Sequence, residues 1–104
     1  MDKSIFFPLF TNASKVLYIG PCIVGNIIIS GDGAAGDCDI YDGVNASAER
    51  KYHLEVASGT SFATGAATLK KFNYGVHVVV NAATTFVTVE YIPLPMDTMV
   101  QAEL

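Results

Sequence analysis

Few residues in this chain have the type and spacing to do chemistry. Ser61 sits in the small-residue run Gly59-Thr60-Ser61-Phe62-Ala63-Thr64, a setting that can present a nucleophile. A serine nucleophile needs a base and an orienting carboxylate in register. Neither His53-Leu54-Glu55 nor His77-Val78-Val79 supplies them by spacing. The string Asp37-Cys38-Asp39-Ile40-Tyr41-Asp42-Gly43 invites a calcium reading. An EF-hand loop wants oxygen ligands at its first, third and fifth positions, glycine at the sixth and glutamate at the twelfth. Tyr41, Asp42 and Ala48 stand at the fifth, sixth and twelfth, so the pattern fails there. The histidines have no HxH spacing and no local carboxylate constellation that would make a metal centre. Gly31, Gly33 and Gly36 follow a strand but open no helix, which removes a phosphate cradle. The expectation is a protein with no catalytic residue, no metal ligand and no cofactor.

What remains is a set of apolar side chains suited to partner contact. Phe6, Phe7, Leu9 and Phe10 precede the first clear strand. Leu94, Met96 and Met99 follow Pro93 and Pro95, which cannot continue a central strand. Phe86 and Ile92 belong to the mixed face of a strand. These nine residues are the candidate contacts, and two apolar arms on a small domain suit a protein that clasps its neighbours.

The elements that would hold them are strands. The segment Tyr74 to Ile92 reads YGVHVVVNAATTFVTVEYI, two alternating runs around a short loop. Read as a hairpin with Val80 facing Thr85, it pairs Val78 with Val87, Val76 with Val89 and Tyr74 with Tyr91 on one side. His77, Val79, Phe86, Thr88, Glu90 and Ile92 fall on the other. Further strands are expected at 16–20, 23–30, 37–41, 51–57, 61–64 and 68–72, separated by glycine-bearing turns. No window has an amphipathic helical period. Seven or eight short strands with this spacing predict an all-β domain, a single small antiparallel β-sandwich of jelly-roll-like type. Its core should run from about 16 to 93, with an N-terminal arm over 1–14 and a C-terminal tail over 94–104.

Composition narrows the partners. The chain has 104 residues, the size of one domain. It is 51% hydrophobic and only 15% charged, with a mean hydropathy of +0.39. A domain this small cannot bury all of that apolar surface, so part of it should be exposed as association patches. The formal charge is −4 and the cations are scattered, which excludes a nucleic-acid footprint. No stretch approaches the ~20 apolar residues of a membrane helix, and no cleavable leader is evident, so synthesis and folding in a cytoplasm are expected. Cys22 and Cys38 are the only cysteines. If their strands pair across the glycine turn, Cys38 lies opposite Ile29 and Cys22 is ~24 Å away. Free thiols are expected, because a disulfide needs Cα atoms within ~7 Å.

The run of features from Ile23–Ile29 through Ile40-Tyr41-Asp42-Gly43-Val44-Asn45-Ala46 and Phe72-Asn73-Tyr74-Gly75-Val76-His77-Val78 to Val87-Thr88-Val89-Glu90-Tyr91-Ile92-Pro93 resembles small β-sandwich virion proteins of tailed bacteriophages. The resemblance covers about residues 16–93. It implies a non-enzymatic virion structural protein, a capsid decoration or cement subunit that binds the outside of the major capsid protein lattice. It also implies a homotrimer on the capsid surface. Related sandwiches serve as tail or head-fibre components. A carbohydrate- or receptor-binding module is the other alternative, with Tyr41, Tyr52 and Tyr74 beside Asp37 and Asp39 as its platform.

Overall fold

The computed structural model describes residues 6–65 and 69–95. Over them the chain forms nine strands and no helix. In order these are β1 (Phe7–Thr11), β2 (Lys15–Ile19), β3 (Cys22–Gly31), β4 (Gly36–Asp42), β5 (Glu49–Val56), β6 (Ser61–Ala63), β7 (Lys70–Phe72), β8 (Gly75–Val80) and β9 (Thr85–Pro93). They make two antiparallel sheets. One has the order β1-β9-β3-β6, with β7 also paired to β3. The other has the order β2-β8-β4-β5. Nine strands exceed the seven or eight expected, and the addition is β1.

Alternation explains the core. Val24, Ile27, Ile29, Val87 and Val89 of the five-stranded sheet face Cys38, Ile40, Val76 and Val78 of the four-stranded sheet, all of them at most 1% exposed. Phe72 and Cys22 close one end of this layer. At roughly 1.5–3 kcal/mol for each fully buried aliphatic side chain, this double row is the main stabilising term of the fold.

The segment Tyr74 to Ile92 is not a hairpin. β8 pairs with β2 and β4, whereas β9 pairs with β1 and β3. The loop 81–84 therefore carries the chain from one sheet to the other, and the two valine rows meet face to face across the core instead of side by side. The inward and outward sets follow the alternation; the pairing does not, because either arrangement buries the same valines. A buried hydroxyl fixes the crossing. Thr85 Oγ1 accepts the Asp37 N–H at 3.0 Å, and the Asn81 N–H donates to Asp37 O at 2.9 Å.

The glycine turn after β3 is a second crossing of this kind. β3 and β4 lie in opposite sheets, so Cys38 does not pair with Ile29. Both cysteines are nevertheless buried and free. The N-terminal stretch also departs from the expected arm, since Phe7–Thr11 pair with Tyr91–Val87 as an edge strand. Pro8 suits that edge, where an N–H is not required on the open side.

Two local devices lock the ends of the sheets. A Cβ on Gly75 would sit 2.6 Å from Tyr18 O and 3.1 Å from Gly43 O, so only glycine permits this approach of three backbone segments. In β3, a bulge between Val24 and Ile27 breaks the ladder. The Ile27 N–H donates to Thr64 Oγ1 at 3.0 Å, and the Gly65 N–H donates to Asn26 Oδ1 at 2.9 Å.

Candidate functional site

The two outer faces of the molecule are chemically unlike. On the five-stranded sheet, Phe10 of β1 stacks on Phe86 of β9 with ring centroids 6.0 Å apart and planes 14° from parallel. Register extends this patch. Phe10 is opposite Thr88, Ile28 is opposite both Thr88 and Ala63, Ile23 is opposite Ile92, and Pro8 is opposite Glu90. Phe10 is 59% exposed. Phe86, Ile28, Ile23 and Ile92 are half-buried, and among the described residues no strand is layered over them. Glu90 and Lys71 are the charges that alternation places on this side among the described residues.

The candidate contact residues are therefore divided. Phe10, Phe86 and Ile92 share the outer face of the five-stranded sheet. Phe6 lies against Gly25 of β3, where an added Cβ would come within 2.7 Å of its ring. Phe7 and Leu9 alternate inward instead. The Phe7 ring lies 6.0 Å from Tyr91, which in turn packs 4.9 Å from Tyr18 at the border of the core. Leu94 follows β9, its N–H bonded to Pro21 O at 2.9 Å. Met96 and Met99 lie outside the described residues.

On the four-stranded sheet the outer face is polar. The β4–β5 register sets Asp37 against Glu55 and Asp39 against His53. His53 Nδ1 is 2.6 Å from Asp39 Oδ1, and His53 Nε2 is 2.7 Å from Glu55 Oε2. Asp39 also accepts from Arg50 at 3.2 Å and from Asn81 Nδ2 at 3.1 Å, while the same Asn81 amide donates to Asp37 at 3.0 Å. Burial alone would raise the Asp39 pKa. The Asn81 and His53 hydrogen bonds and the His53 and Arg50 charges outweigh it and hold that carboxyl below its ordinary value. The hydrogen bonds to Glu55 and Asp39 raise His53 above its ordinary 6.5. Ligand atoms of Asp37, His53 and Glu55 lie within 4.8 Å of one another, but both His53 nitrogens are taken up by Asp39 and Glu55, so the ring offers no free lone pair to a cation.

This cluster was not legible as a local motif. His53-Leu54-Glu55 supplies two members on one face of a strand, and the others arrive only when β4 is folded against β5. The signal that could have found it is the register of that hairpin.

The other chemical strings are taken apart by the fold. Ser61 bonds to Ser30 at 2.9 Å on the outer side of the five-stranded sheet, whereas His53 projects from the outer side of the other sheet. The run 59–65 forms a strap on β3, on the sheet opposite the one that carries His53. Asp42 is 6% exposed and accepts the N–H groups of Asn73, Tyr74 and Gly75 at 2.9, 2.8 and 3.4 Å. The three tyrosines suggested as a sugar platform are dispersed. Tyr41 lies beside His77, with ring centroids 6.1 Å apart. Tyr52 packs against the core under Lys70, and Tyr74 stands in the β7–β8 turn.

Comparison with known proteins adds no relative: no family model, no curated protein and no solved structure matches the chain.

Proposed function

We propose that this chain is a non-enzymatic virion structural protein, a capsid decoration subunit. It binds the outside of the major capsid protein lattice and stabilises the head, and it associates with itself as a homotrimer. The observation that carries the reading is the asymmetry of the two outer faces. One is an aromatic and aliphatic surface built on the Phe10–Phe86 stack, and the other is a hydrogen-bonded polar network. An apolar sheet face of this kind marks an association surface. A standard interface of ~1,600 Å² in total would cover it.

The strand order supports a jelly-roll reading. β1, β2, β3 and β4 pair with β9, β8, β6/β7 and β5 respectively, as in one antiparallel ribbon rolled so that β3 also meets β9 and β4 meets β8. Jelly rolls recur in viral capsid and lectin domains. Fold does not name function, so the aromatic face, not the topology, is what favours the capsid reading over the lectin one. The opposed placement of Ser61 and His53 counts against a hydrolase, and the dispersal of Tyr41, Tyr52 and Tyr74 counts against the sugar platform.

The test is binding to capsid shells stripped of this protein. The wild-type chain should bind, and the double variant Phe10→Ser/Phe86→Ser should lose binding by tenfold or more, on the order of 1.4 kcal/mol or greater. The double variant should fold, because neither side chain belongs to the core. Equal binding by wild type and variant, or no binding by wild type, would contradict the proposal.

A further inference from the structure

His53 faces more hydrogen-bond acceptors than a neutral imidazole can serve. A neutral ring carries one N–H and one lone pair, whereas both nitrogens here lie within 2.7 Å of a carboxylate oxygen. Only the imidazolium donates to both. After loss of one proton, a nitrogen lone pair confronts Asp39 or Glu55 at hydrogen-bond distance, and the contact becomes repulsive.

The neighbourhood sharpens the effect. From β4, Asp37 lies opposite Glu55, a like-charge pair across the ladder, and its Oδ1 is 3.8 Å from His53 Nδ1. From β5 itself come Glu55, Arg50 on Asp39, and Lys51, whose ammonium is 3.2 Å from Glu49. From the loop after β8, Asn81 is a neutral donor to Asp37 and Asp39. On β8 the same side carries Val79 opposite Asp39 and His77 opposite Tyr41. Among the described residues β5 is the edge of its sheet and is paired with β4 alone. Removing the imidazolium charge therefore leaves Asp37, Asp39 and Glu55 with Arg50 as the one cation paired to them among the described residues, at the seam between an edge strand and its neighbour.

We infer that Asp39, His53 and Glu55 form a proton-dependent clasp on edge strand β5, closed while the imidazole carries both protons and loosened when it loses one. The clasp lies on the face opposite the Phe10–Phe86 surface and is independent of the assembly reading. Its sign follows from linkage. A histidine raised in the folded state contributes its full stability below its unfolded value of 6.5 and loses it as pH rises through the folded value.

Three measurements on the full chain test it. In an NMR titration His53 should have a midpoint above 6.5, and Glu55→Gln should lower that midpoint. In thermal melts from about pH 5.5 to about pH 9, wild-type Tm should fall through the His53 midpoint, and His53→Gln should flatten that fall. Amide protection should drop over β5 while that of β3 stays constant. A wild-type His53 midpoint at or below 6.5, a midpoint unmoved by Glu55→Gln, or parallel Tm profiles for wild type and His53→Gln would overturn the clasp.

Discussion

Asp42 shows how a residue with the chemistry of a ligand can be used entirely for structure. Its carboxylate takes three backbone N–H groups from the turn between β7 and β8. Hydrogen bonds to a charged acceptor contribute more than neutral ones, and donors left buried without a partner cost about 1–3 kcal/mol each. Asp42→Ala should therefore destabilise the fold by on the order of 2–4 kcal/mol in denaturant unfolding, with Asp42→Asn milder. The cysteines carry a second prediction at this scale. Burial first, and then the Asp42 charge, push the Cys22 thiol up to about 12; burial, Asp39 and Asp37 do the same for Cys38. Neither should react with a thiol reagent in the native protein near neutral pH, and both should react once it is unfolded. Free thiols were expected from the sequence by way of a pairing between their strands that the fold does not make. Their actual positions on opposed sheets required knowing where the chain crosses the core.

That distinction recurs among the elements. Alternation in Gly75–Val80 and Thr85–Pro93 correctly separates inward valines from outward residues. It cannot tell a hairpin from a crossing, since both bury Val76, Val78, Val87 and Val89. What decides is long-range. β3 accepts β9 from Cys22 to Gly31, and β4 accepts β8 from Cys38 to Asp42, pairings invisible to any local window. The edge strand β1 was missed for a related reason, because Phe7, Pro8, Leu9 and Phe10 show no alternation of polarity and only the register with β9 sorts them into two faces. Thr85 is the element-level test of the crossing. Thr85→Val keeps the volume but leaves the Asp37 N–H without its acceptor. The expected loss is about 1–3 kcal/mol by denaturant unfolding. A hairpin at this place would not need that hydroxyl, and its variant would be near neutral.

For the whole molecule, part of an apolar fraction too large for a small domain is gathered on one sheet face, while Ile19 on β2 and Val44, Leu69 and Tyr74 in the connections are exposed elsewhere. The core takes the inward rows of both sheets, the four-stranded sheet turns a network of carboxylates, arginine and histidine outward, and the five-stranded sheet keeps an aromatic surface. The sequence foretold exposed apolar contacts on two arms and on the mixed face that carries Phe86 and Ile92; Met96 and Met99 of the second arm lie outside the described residues. The fold gathers Phe10, Phe86 and Ile92 onto one broad sheet face, with Phe6 against Gly25. A rigid sheet face loses less conformational entropy on docking than a free arm does, so it is the better platform for covering a boundary between neighbouring subunits. The measurement closest to the proposed decoration role is the copy number of the chain per purified virion, by quantitative mass spectrometry against the major capsid protein. A decoration subunit should be present at capsid-scale stoichiometry. A handful of copies per particle, or none, would contradict the account.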